Sequence, residues 1–446
     1  MQRMDSIQID TVIEARWIIP AEPYGLVLEN HAIAIDKGVI QAILPASDIS
    51  LQFSPVEHIV LPQHVLIPGL TNLHTHAAMR LMRGLADGLP LIKWLNNHIW
   101  PAEIKHVNAD FVLDGTKLAC AEMLKGGTTC FNDMYFFPEE SAEAALASGM
   151  RGAIGMLAID FPTAYASDAE DYLAKGLVMR DKYRHHPLLS FCFAPHAPYT
   201  VGDKALTSIL TYAEQLDLPV HIHLHETEAE IRHSLKNFGM RPIARLHQLG
   251  LLSPGLIGVN MVHLTEEEIE LTGNQGCSVA HCPSSNLKLA NGFAPVSALL
   301  KQGVNVGLGT DGSASNNRLD MFAEMRLAAL LAKGQSNRAD ELPAYQALQM
   351  ATLNSAKALG LGDRIGSLVK GKMADITAVN FSALELSPCY DPVSHLVYSA
   401  GREYVSHVWV DGKILVKEGK LTTLNEQKIS AKTLLWEDRI KIKKNE

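Results

Sequence analysis

The sequence predicts an α/β protein, a (β/α)8 barrel of the TIM type that carries a small β-sandwich built from both ends of the chain. Eight apolar, strand-like runs follow one another along the middle of the chain, and stretches with helical patterns separate them. Continuous apolar strands that alternate with helices are typical of parallel sheets, and eight such units close into a barrel. Short β segments joined by turns occur at both ends of the chain and predict the sandwich.

The two ends of the chain have similar patterns. Residues 1–66 contain the strand candidates "TVIEARWIIP", "HAIAIDKGVIQAIL" and "HIVLPQHVLIPG", with a turn at "DKG". Residues 370–446 contain "KMADITAVNF" and "VSHVWVDGKILVKEGKL", where "DGK" joins two strands, and they end in the basic run "RIKIKKNE", which we interpret as a solvated tail. We therefore expect one β-domain made from both ends, and a barrel formed by residues 67–369.

The eight predicted barrel strands differ in the polar residues with which they end. In chain order they are "VLIPGLTNLHTH", "GTTCFNDM", "RGAIGMLAID", "LLSFCFAPHAP", "LPVHIHLHE", "LIGVNMVHL", "CSVAHCPSSN" and "VNVGLGTDG". Active sites of such barrels lie at the carboxyl ends of the strands. We therefore expect these polar residues to meet at one rim.

Composition and charge exclude several classes of protein. The 446 residues are 47% apolar and 20% charged, as is ordinary for a globular protein of this size. The 39 Lys and Arg against 48 Asp and Glu give a net charge of −9, which disfavours a nucleic-acid partner. No uncharged apolar run reaches 18 residues, so we expect no membrane partner, and the N-terminus lacks the apolar region of a signal peptide. The six cysteines form no CxxC motif, which favours free thiols and a cytoplasmic location, and a homo-oligomer is left open.

Three strands deliver metal-ligand side chains to the predicted rim. Strand 1 ends in His74 and His76, and strand 8 is followed by Asp311. Strand 5 offers three histidines of the same parity, so its pattern alone does not decide between His221, His223 and His225. Imidazole nitrogens and carboxylate oxygens are zinc ligands, and a catalytic zinc activates water. Glu226 could then move protons without binding the metal.

The combined pattern resembles the amidohydrolase superfamily and, within it, the deaminases of 5′-methylthioadenosine and S-adenosylhomocysteine. The stretches that carry this resemblance are "PGLTNLHTHAAMRLMRG", "WLNNHIWPAE", "APHAPYT", "HIHLHETEAE", "HCPSSNLKLANG" and "LGTDGSASNN". The resemblance implies one zinc per subunit, bound by His74, His76, His223 and Asp311. Binuclear relatives often bridge two metals with a lysine on strand 4, and this chain has none there.

The resemblance also implies a reaction and a role for each site residue. The reaction is hydrolytic deamination of the adenine ring of 5′-methylthioadenosine, S-adenosylhomocysteine or both, so the partner is a small-molecule nucleoside. Glu226 would protonate a ring nitrogen, and Asp311 would pass the proton of the attacking water to the departing ammonia. His196 would hydrogen-bond the purine, Glu103 would hold the ribose hydroxyls, and Trp94 would pack against the 5′ substituent.

One position departs from the family pattern. Relatives usually have a histidine on strand 6 where this chain has Asn260. Asparagine donates a hydrogen bond but carries neither a proton nor a positive charge. We expect Asn260 to face the zinc in a catalytic role, with zinc binding kept and activity reduced. His263 lies three residues further on, so it faces the barrel wall or lies beyond the strand end.

Two other functions compete with this interpretation. One is another aminohydrolase of the same barrel, such as a guanine deaminase or a triazine chlorohydrolase, and the other is a non-catalytic scaffold. Glu226 favours deamination of an aromatic ring, and the full ligand set argues against a scaffold. The segment after strand 3, "GMLAIDFPTAYASD", has no arginine to bind a carboxylate, which favours the methylthio substituent over homocysteine.

Overall fold

The computed structural model describes residues 6–441, which form two eight-stranded sheets. The strands, numbered in chain order, are β1 (Ile7–Ile18), β2 (Leu28–Asp36), β3 (Val39–Pro45), β4 (Phe53–Pro68), β5 (Leu70–Thr75), β6 (Thr128–Asp133), β7 (Arg151–Ala158), β8 (Leu189–Pro195), β9 (Val220–Leu224), β10 (Leu256–Asn260), β11 (Ser278–His281), β12 (Asn305–Leu308), β13 (Ile376–Asn380), β14 (Val405–Val410), β15 (Lys413–Lys417) and β16 (Lys420–Leu421).

Alpha-helices separate the barrel strands and also occur before and after them in the chain. The helices are α1 (Ile49–Gln52), α2 (Leu91–Trp94), α3 (Trp100–His106), α4 (Ala109–Lys125), α5 (Pro138–Ser148), α6 (Ala169–Tyr183), α7 (Asp203–Leu216), α8 (Glu228–Phe238), α9 (Pro242–Gln248), α10 (Glu266–Asn274), α11 (Pro283–Lys288), α12 (Val296–Lys301), α13 (Ser313–Asn316), α14 (Met321–Ser336), α15 (Ala344–Met350), α16 (Leu353–Ala358), α17 (Pro392–Tyr398) and α18 (Glu426–Ile440). A π-helix, Leu95–Ile99, joins α2 to α3.

The barrel sheet has the sequential order β5 to β12, with its strands parallel. Its first and last strands are linked where the amide of Asp311 donates to the carbonyl of His74 at 3.0 Å. Sequential parallel strands with helical crossovers are what the alternating pattern predicted, so the predicted fold class is confirmed.

The other sheet combines both ends of the chain in the order β16-β15-β14-β13-β4-β1-β2-β3. Strand β4 is its link, because it pairs in parallel with β1 and antiparallel with β13. Alternate residues of β2 belong to two different apolar clusters, so both faces of this strand are covered.

The predicted first barrel strand proved to be the end of one strand and the start of another. Strand β4 ends at Pro68 in the mixed sheet, and β5 begins at Leu70 in the barrel. Gly69 lies between them, where a Cβ atom would lie 2.1 Å from Thr129 Oγ1. Glycine is therefore needed here, because the side chain of Thr129 occupies the space of a Cβ atom.

Clustering of contacts divides the chain into two compact units with interleaved segments. Among the described residues, one contains 6–71, 123–130 and 320–423, and the other contains 72–122, 131–319 and 424–441. The boundaries at residues 66 and 369 stay predictions.

Helix α18 contains the first two residues of the run interpreted as a solvated tail, Arg439 and Ile440, and buries the second of them. It belongs to the unit that contains most of the barrel, where Trp436 Nε1 donates to Asp114 Oδ2 at 3.0 Å and the indole meets Phe111 edge to face. Trp436 and Ile440 join an apolar cluster that includes Trp94. The last part of the predicted tail, residues 442–446, lies outside the described residues. Between residues 6 and 441, no helix is both long and apolar enough to cross a membrane.

Candidate active site

Four side chains form a compact cluster of metal-ligand type at the carboxyl ends of the barrel strands. One donor atom from each of His74, His76, His223 and Asp311 lies within 4.8 Å of the others. Asp311 Oδ1 lies 3.3 Å from His74 Nε2 and 3.2 Å from His76 Nε2, and the Nε2 atoms of His74 and His223 are 3.2 Å apart. The four residues come from β5, the turn after it, β9 and the turn after β12, which are distant in sequence but adjacent at one rim.

The three imidazoles present the same nitrogen to the centre because their Nδ1 atoms are occupied elsewhere. His76 Nδ1 donates to the carbonyl of Met134 at 2.6 Å, and His223 Nδ1 donates to the carbonyl of His196 at 2.8 Å. Burial lowers the pKa of His74 and of His223, so both rings are neutral at pH 7 and keep a lone pair. Burial opposes the charged form of His76, but Asp311 raises its pKa to about 9, so a metal ion would displace a proton from this ring. The three imidazoles and the carboxylate are then the donors that zinc accepts.

Asp311 is held by its own loop and by a neighbouring helix. Ser285 Oγ donates to Asp311 Oδ2 at 2.5 Å, and the amide of Gly312 donates to Oδ1 at 2.7 Å. The backbone of Asp311 has φ of +59°, a left-handed conformation that aspartate tolerates better than most residues. The carboxylate is therefore fixed opposite the histidines before any ligand binds.

The other two histidines of β9 and the turn after it have different environments. His221 Nε2 lies 2.9 Å from His74 Nδ1, on the side of that ring that faces away from the four-donor cluster. His225 accepts a hydrogen bond from the amide of Ile243 at 3.0 Å and donates to the carbonyl of His263. Only His223 of the three belongs to the donor cluster among the described residues.

A cavity of about 530 Å³ opens above the cluster. Trp94, Glu103, His196 and Glu226, which the sequence resemblance singled out, all line it, together with His76, His223 and Asp311. The remaining lining is mainly apolar and aromatic, and no lysine or arginine lines the cavity in the described part of the chain. The cavity therefore suits a ligand with a large uncharged surface and a few polar groups.

Two carboxyl groups in the cavity have strongly altered acidity. Burial, reinforced by Asp311 and Glu230, raises the pKa of Glu226 to about 8. Burial raises the pKa of Glu103 to about 7, although Tyr135 Oη donates to its Oε1 at 2.8 Å and favours the ionised form. Glu226 is therefore protonated at neutral pH, as a proton donor must be.

His196 lies beside the donor cluster as a neutral ring. Its centroid is 5.0 Å from that of His223, and its Nδ1 forms a hydrogen bond of 3.0 Å with Thr200 Oγ1. Burial lowers the pKa of His196 to about 3, so the ring offers one donor and one acceptor without a charge.

Asn260 is buried at the last position of β10, with φ of +71°. Its Nδ2 donates to Asn286 Oδ1 at 2.8 Å, while its Oδ1 has no partner among the described residues. His263 lies beyond the end of this strand. The orientation of Asn260 towards a metal stays a prediction.

Three residues near the site were missed by the sequence reasoning. Tyr135 contacts Glu103, Ser285 contacts Asp311, and Asn291 Nδ2 donates to Glu226 Oε1 at 2.9 Å. Ser285 and Asn291 lie in the quoted stretch "HCPSSNLKLANG", but no spacing rule connects them to a partner on another strand. The position of Tyr135 two residues after the end of β6, at the predicted rim, was the one available signal.

Comparison with known proteins places the chain in a class defined by this fold and site. A model of the amidohydrolase family matches residues 65–415, and the chain belongs to that family. It is similar to the 5-methylthioadenosine/S-adenosylhomocysteine deaminase of Saccharophagus degradans, with 51% identity over 97% of each chain.

Solved structures show the same relationship. An adenosine deaminase from Xanthomonas campestris with bound zinc has a TM-score of 0.96 and 48% identity, over 98% of this chain and 99% of that one. Atrazine chlorohydrolase from Arthrobacter aurescens, complexed with zinc, has a TM-score of 0.89 and 25% identity, over 96% of this chain and 99% of that one.

Proposed function

We propose that the chain is a zinc-dependent deaminase that converts the adenine ring of 5′-methylthioadenosine, S-adenosylhomocysteine or both to the inosine analogue and ammonia. The observation that carries the proposal is the cluster of three histidines and Asp311 at a cavity that Glu226 also lines. The names of the Saccharophagus and Xanthomonas relatives support the same activity.

His74, His76, His223 and Asp311 would hold one zinc ion. Three imidazoles and one carboxylate match the ligands of a catalytic zinc site. Strand β8 contains no lysine that could bridge a second metal, which supports a mononuclear site. Bound zinc would lower the pKa of a water molecule, so that hydroxide is available as the nucleophile at neutral pH.

Glu226 and Asp311 would carry out the proton transfers of the reaction. Glu226, neutral because burial raises its pKa to about 8, donates a proton to a ring nitrogen and makes the neighbouring carbon more electrophilic. Asp311 accepts the proton of the attacking water and delivers it to the amino group. One carbon–oxygen bond forms and one carbon–nitrogen bond breaks, so water enters and ammonia leaves. The second proton of the attacking water returns to Glu226 as the carbonyl forms, which restores the acid.

Three further residues would position the nucleoside. His196, a neutral ring, hydrogen-bonds the purine, and Glu103 accepts from both ribose hydroxyls because a carboxylate has several acceptor sites. Trp94, which is buried and lines the cavity, packs against the 5′ substituent. Asn260 takes the strand-6 position with an amide instead of an imidazole. Its Nδ2 donates one hydrogen to Asn286, so the second N–H would be the donor towards the reaction.

We also propose a cytoplasmic location and no nucleic-acid or membrane partner. All six cysteines are free, five of them buried, which supports a reducing compartment. The net charge of −9 disfavours a polyanionic partner. Whether the chain forms a homo-oligomer is measured directly by light scattering.

The test is a deamination screen of the zinc-loaded protein. Ammonia release is measured with 5′-methylthioadenosine, S-adenosylhomocysteine, adenosine, guanine and cytosine, and a triazine chloride tests the competing chlorohydrolase activity. The proposal expects the two thioether nucleosides to be turned over fastest. Glu226→Gln should retain zinc and lose about 10²–10⁴ in kcat. Turnover of guanine or the triazine alone would overturn the proposal.

A further inference from the structure

One oxygen of the Glu226 carboxyl group accepts a hydrogen bond from a neighbouring side-chain amide. Asn291 Nδ2 donates to Glu226 Oε1 at 2.9 Å, and both side chains are buried. An amide N–H donor requires an acceptor, so Oε1 cannot present a proton towards Asn291. The proton of the neutral acid is therefore placed on Oε2.

The backbone of Asn291 is held on both sides. Its amide donates to the carbonyl of Asn286 at 2.8 Å, and its carbonyl accepts from His263 Nε2 at 2.8 Å. The flanking residues Ala290 and Gly292 have φ of +56° and +122°. A Cβ atom at Gly292 would lie 3.1 Å from Val262 Cγ1, so the loop passes close to the segment after β10.

His263 is in turn held by a partly buried ion pair. Its carbonyl accepts from Arg241 Nη2 at 2.5 Å, and Arg241 binds both oxygens of Glu268, at 2.7 and 2.9 Å. The carbonyl of His263 also accepts from His225 Nδ1 at 3.0 Å. Next to His225, the amide of Glu226 donates to Glu230 Oε2 at 2.9 Å. The segment after β10 and the turn that carries Glu226 therefore share one hydrogen-bonded frame.

We propose that Asn291 is a positioning residue that places the transferable proton of Glu226 on Oε2, and that His263 holds Asn291 in the conformation this requires. The inference rests on the proposed role of Glu226 as the proton donor in deamination. It assigns to His263 a function away from the donor cluster, through its hydrogen bond with the carbonyl of Asn291.

The chemistry predicts a signature that a purely structural role lacks. Without the amide donor, Glu226 can rotate and carry its proton on either oxygen, which lowers the fraction of molecules aligned for transfer. The amide also stabilises the ionised carboxylate, so its loss raises the pKa of Glu226 further. The other titratable groups that act on Glu226 are Asp311, Glu230, His76 and Tyr199. The proposed substitutions leave all four in place.

The test compares Asn291→Leu, His263→Leu, their double variant and His263→Gln in the zinc-loaded protein. Asn291→Leu should lower kcat about tenfold to a hundredfold, with KM and zinc content little changed. The basic limb of the profile of kcat/KM against pH should move to higher pH, because Glu226 stays protonated longer. His263→Gln keeps an N–H donor and should retain most of the activity.

The double variant shows whether His263 acts on Glu226 through Asn291 or independently of it. If His263 acts through Asn291, the double variant falls no further than Asn291→Leu alone, since residues that act as a unit are not additive. Fully additive losses would overturn the role of His263, and an unchanged kcat and pH limb in Asn291→Leu would overturn that of Asn291. If Asn291→Leu does not fold, the pair His263→Leu and His263→Gln carries the test.

The matched control is Asn237→Leu, which replaces an exposed asparagine on α8 and should leave activity unchanged. The two hypotheses also fail differently. A wild-type protein that deaminates no adenine nucleoside contradicts the proposed function. An active wild type with a fully active Asn291→Leu variant contradicts only this inference.

Discussion

The imidazoles of His74 and His221 form a buried pair in which His74 Nδ1 lies 2.9 Å from His221 Nε2. His74 turns its Nε2 atom towards Asp311 and His223, and a metal-binding Nε2 must carry a lone pair. The neutral ring then has its proton on Nδ1 and donates it to His221, which places the proton of His221 on its own Nδ1. His221 thus fixes the tautomer and the orientation of a metal ligand.

We predict that His221→Phe weakens zinc binding about 10–100-fold, because it removes the acceptor behind His74. The zinc dissociation constant is measured by competition with a chelator, which does not depend on turnover. His221→Gln keeps an acceptor and serves as the control. A His221→Phe protein that holds zinc as tightly as the wild type would show that the pair has no such role.

The metal content follows from the four-donor cluster. We predict about one zinc per chain in the active protein, with Asp311→Asn losing nearly all activity, because it loses both an anionic ligand and the proposed proton acceptor. Metal analysis by mass spectrometry and ammonia release measure the two effects. Two zinc ions per chain, or a fully active Asp311→Asn variant, would contradict the mononuclear site.

The ribose contact can be tested on the substrate. If Glu103 accepts from both hydroxyls, the 2′-deoxy analogue leaves a buried carboxylate partly unsatisfied, at a cost of about 1–3 kcal/mol in transition-state binding. The comparison is kcat/KM for the ribonucleoside and its 2′-deoxy analogue. Tyr135→Phe removes the hydroxyl that holds Glu103 and should reduce this discrimination. Equal rates on the two wild-type substrates would exclude the role of Glu103.

The lining of the cavity predicts which 5′ substituent is preferred. The described lining residues include no lysine or arginine, so the carboxylate of a homocysteine group meets no cation there. Burying an unpaired charge is costly, whereas a methylthio group gains from the apolar wall. We predict a higher kcat/KM for 5′-methylthioadenosine than for S-adenosylhomocysteine. The opposite order would mean that another group binds the carboxylate.

Restoring the family residue at position 260 provides another test. Loss of the usual strand-6 histidine should cost about 10²–10³ in kcat if it acts like an oxyanion donor. We therefore predict that Asn260→His raises kcat while zinc content changes little. If the wild type is already as fast as typical enzymes and Asn260→His gives no gain, then the asparagine amide is a competent replacement.

The barrel could be predicted because its signals are local, whereas much of the site could not be. Eight apolar runs separated by helices specify the sheet order, and HxH with Asp311 marks the rim. The parity of a strand does not distinguish His221 from His223, because the choice depends on contacts with His74 on a strand about 150 residues earlier. The support of Glu226 by Asn291 likewise joins residues that are 65 positions apart.

For helix α18 the sequence contains a local helical signal, but it does not show which residues the helix packs against. Trp436 and Ile440 are four residues apart and so share a helical face, but only the fold shows that this face packs near Phe111. Without that partner, a short basic run at the end of the sequence resembles a solvated tail.

The packing of helix α18 has a consequence for biosynthesis. All four donors of the metal cluster have been translated once the ribosome reaches Asp311, but the apolar cluster that contains Trp94 still lacks Trp436 and Ile440. Domains fold as units as they emerge during synthesis. The unit that contains the metal cluster therefore remains incomplete while the ribosome translates β13–β16 of the other unit. A nascent chain thus contains all four metal ligands before its substrate cavity is fully supported.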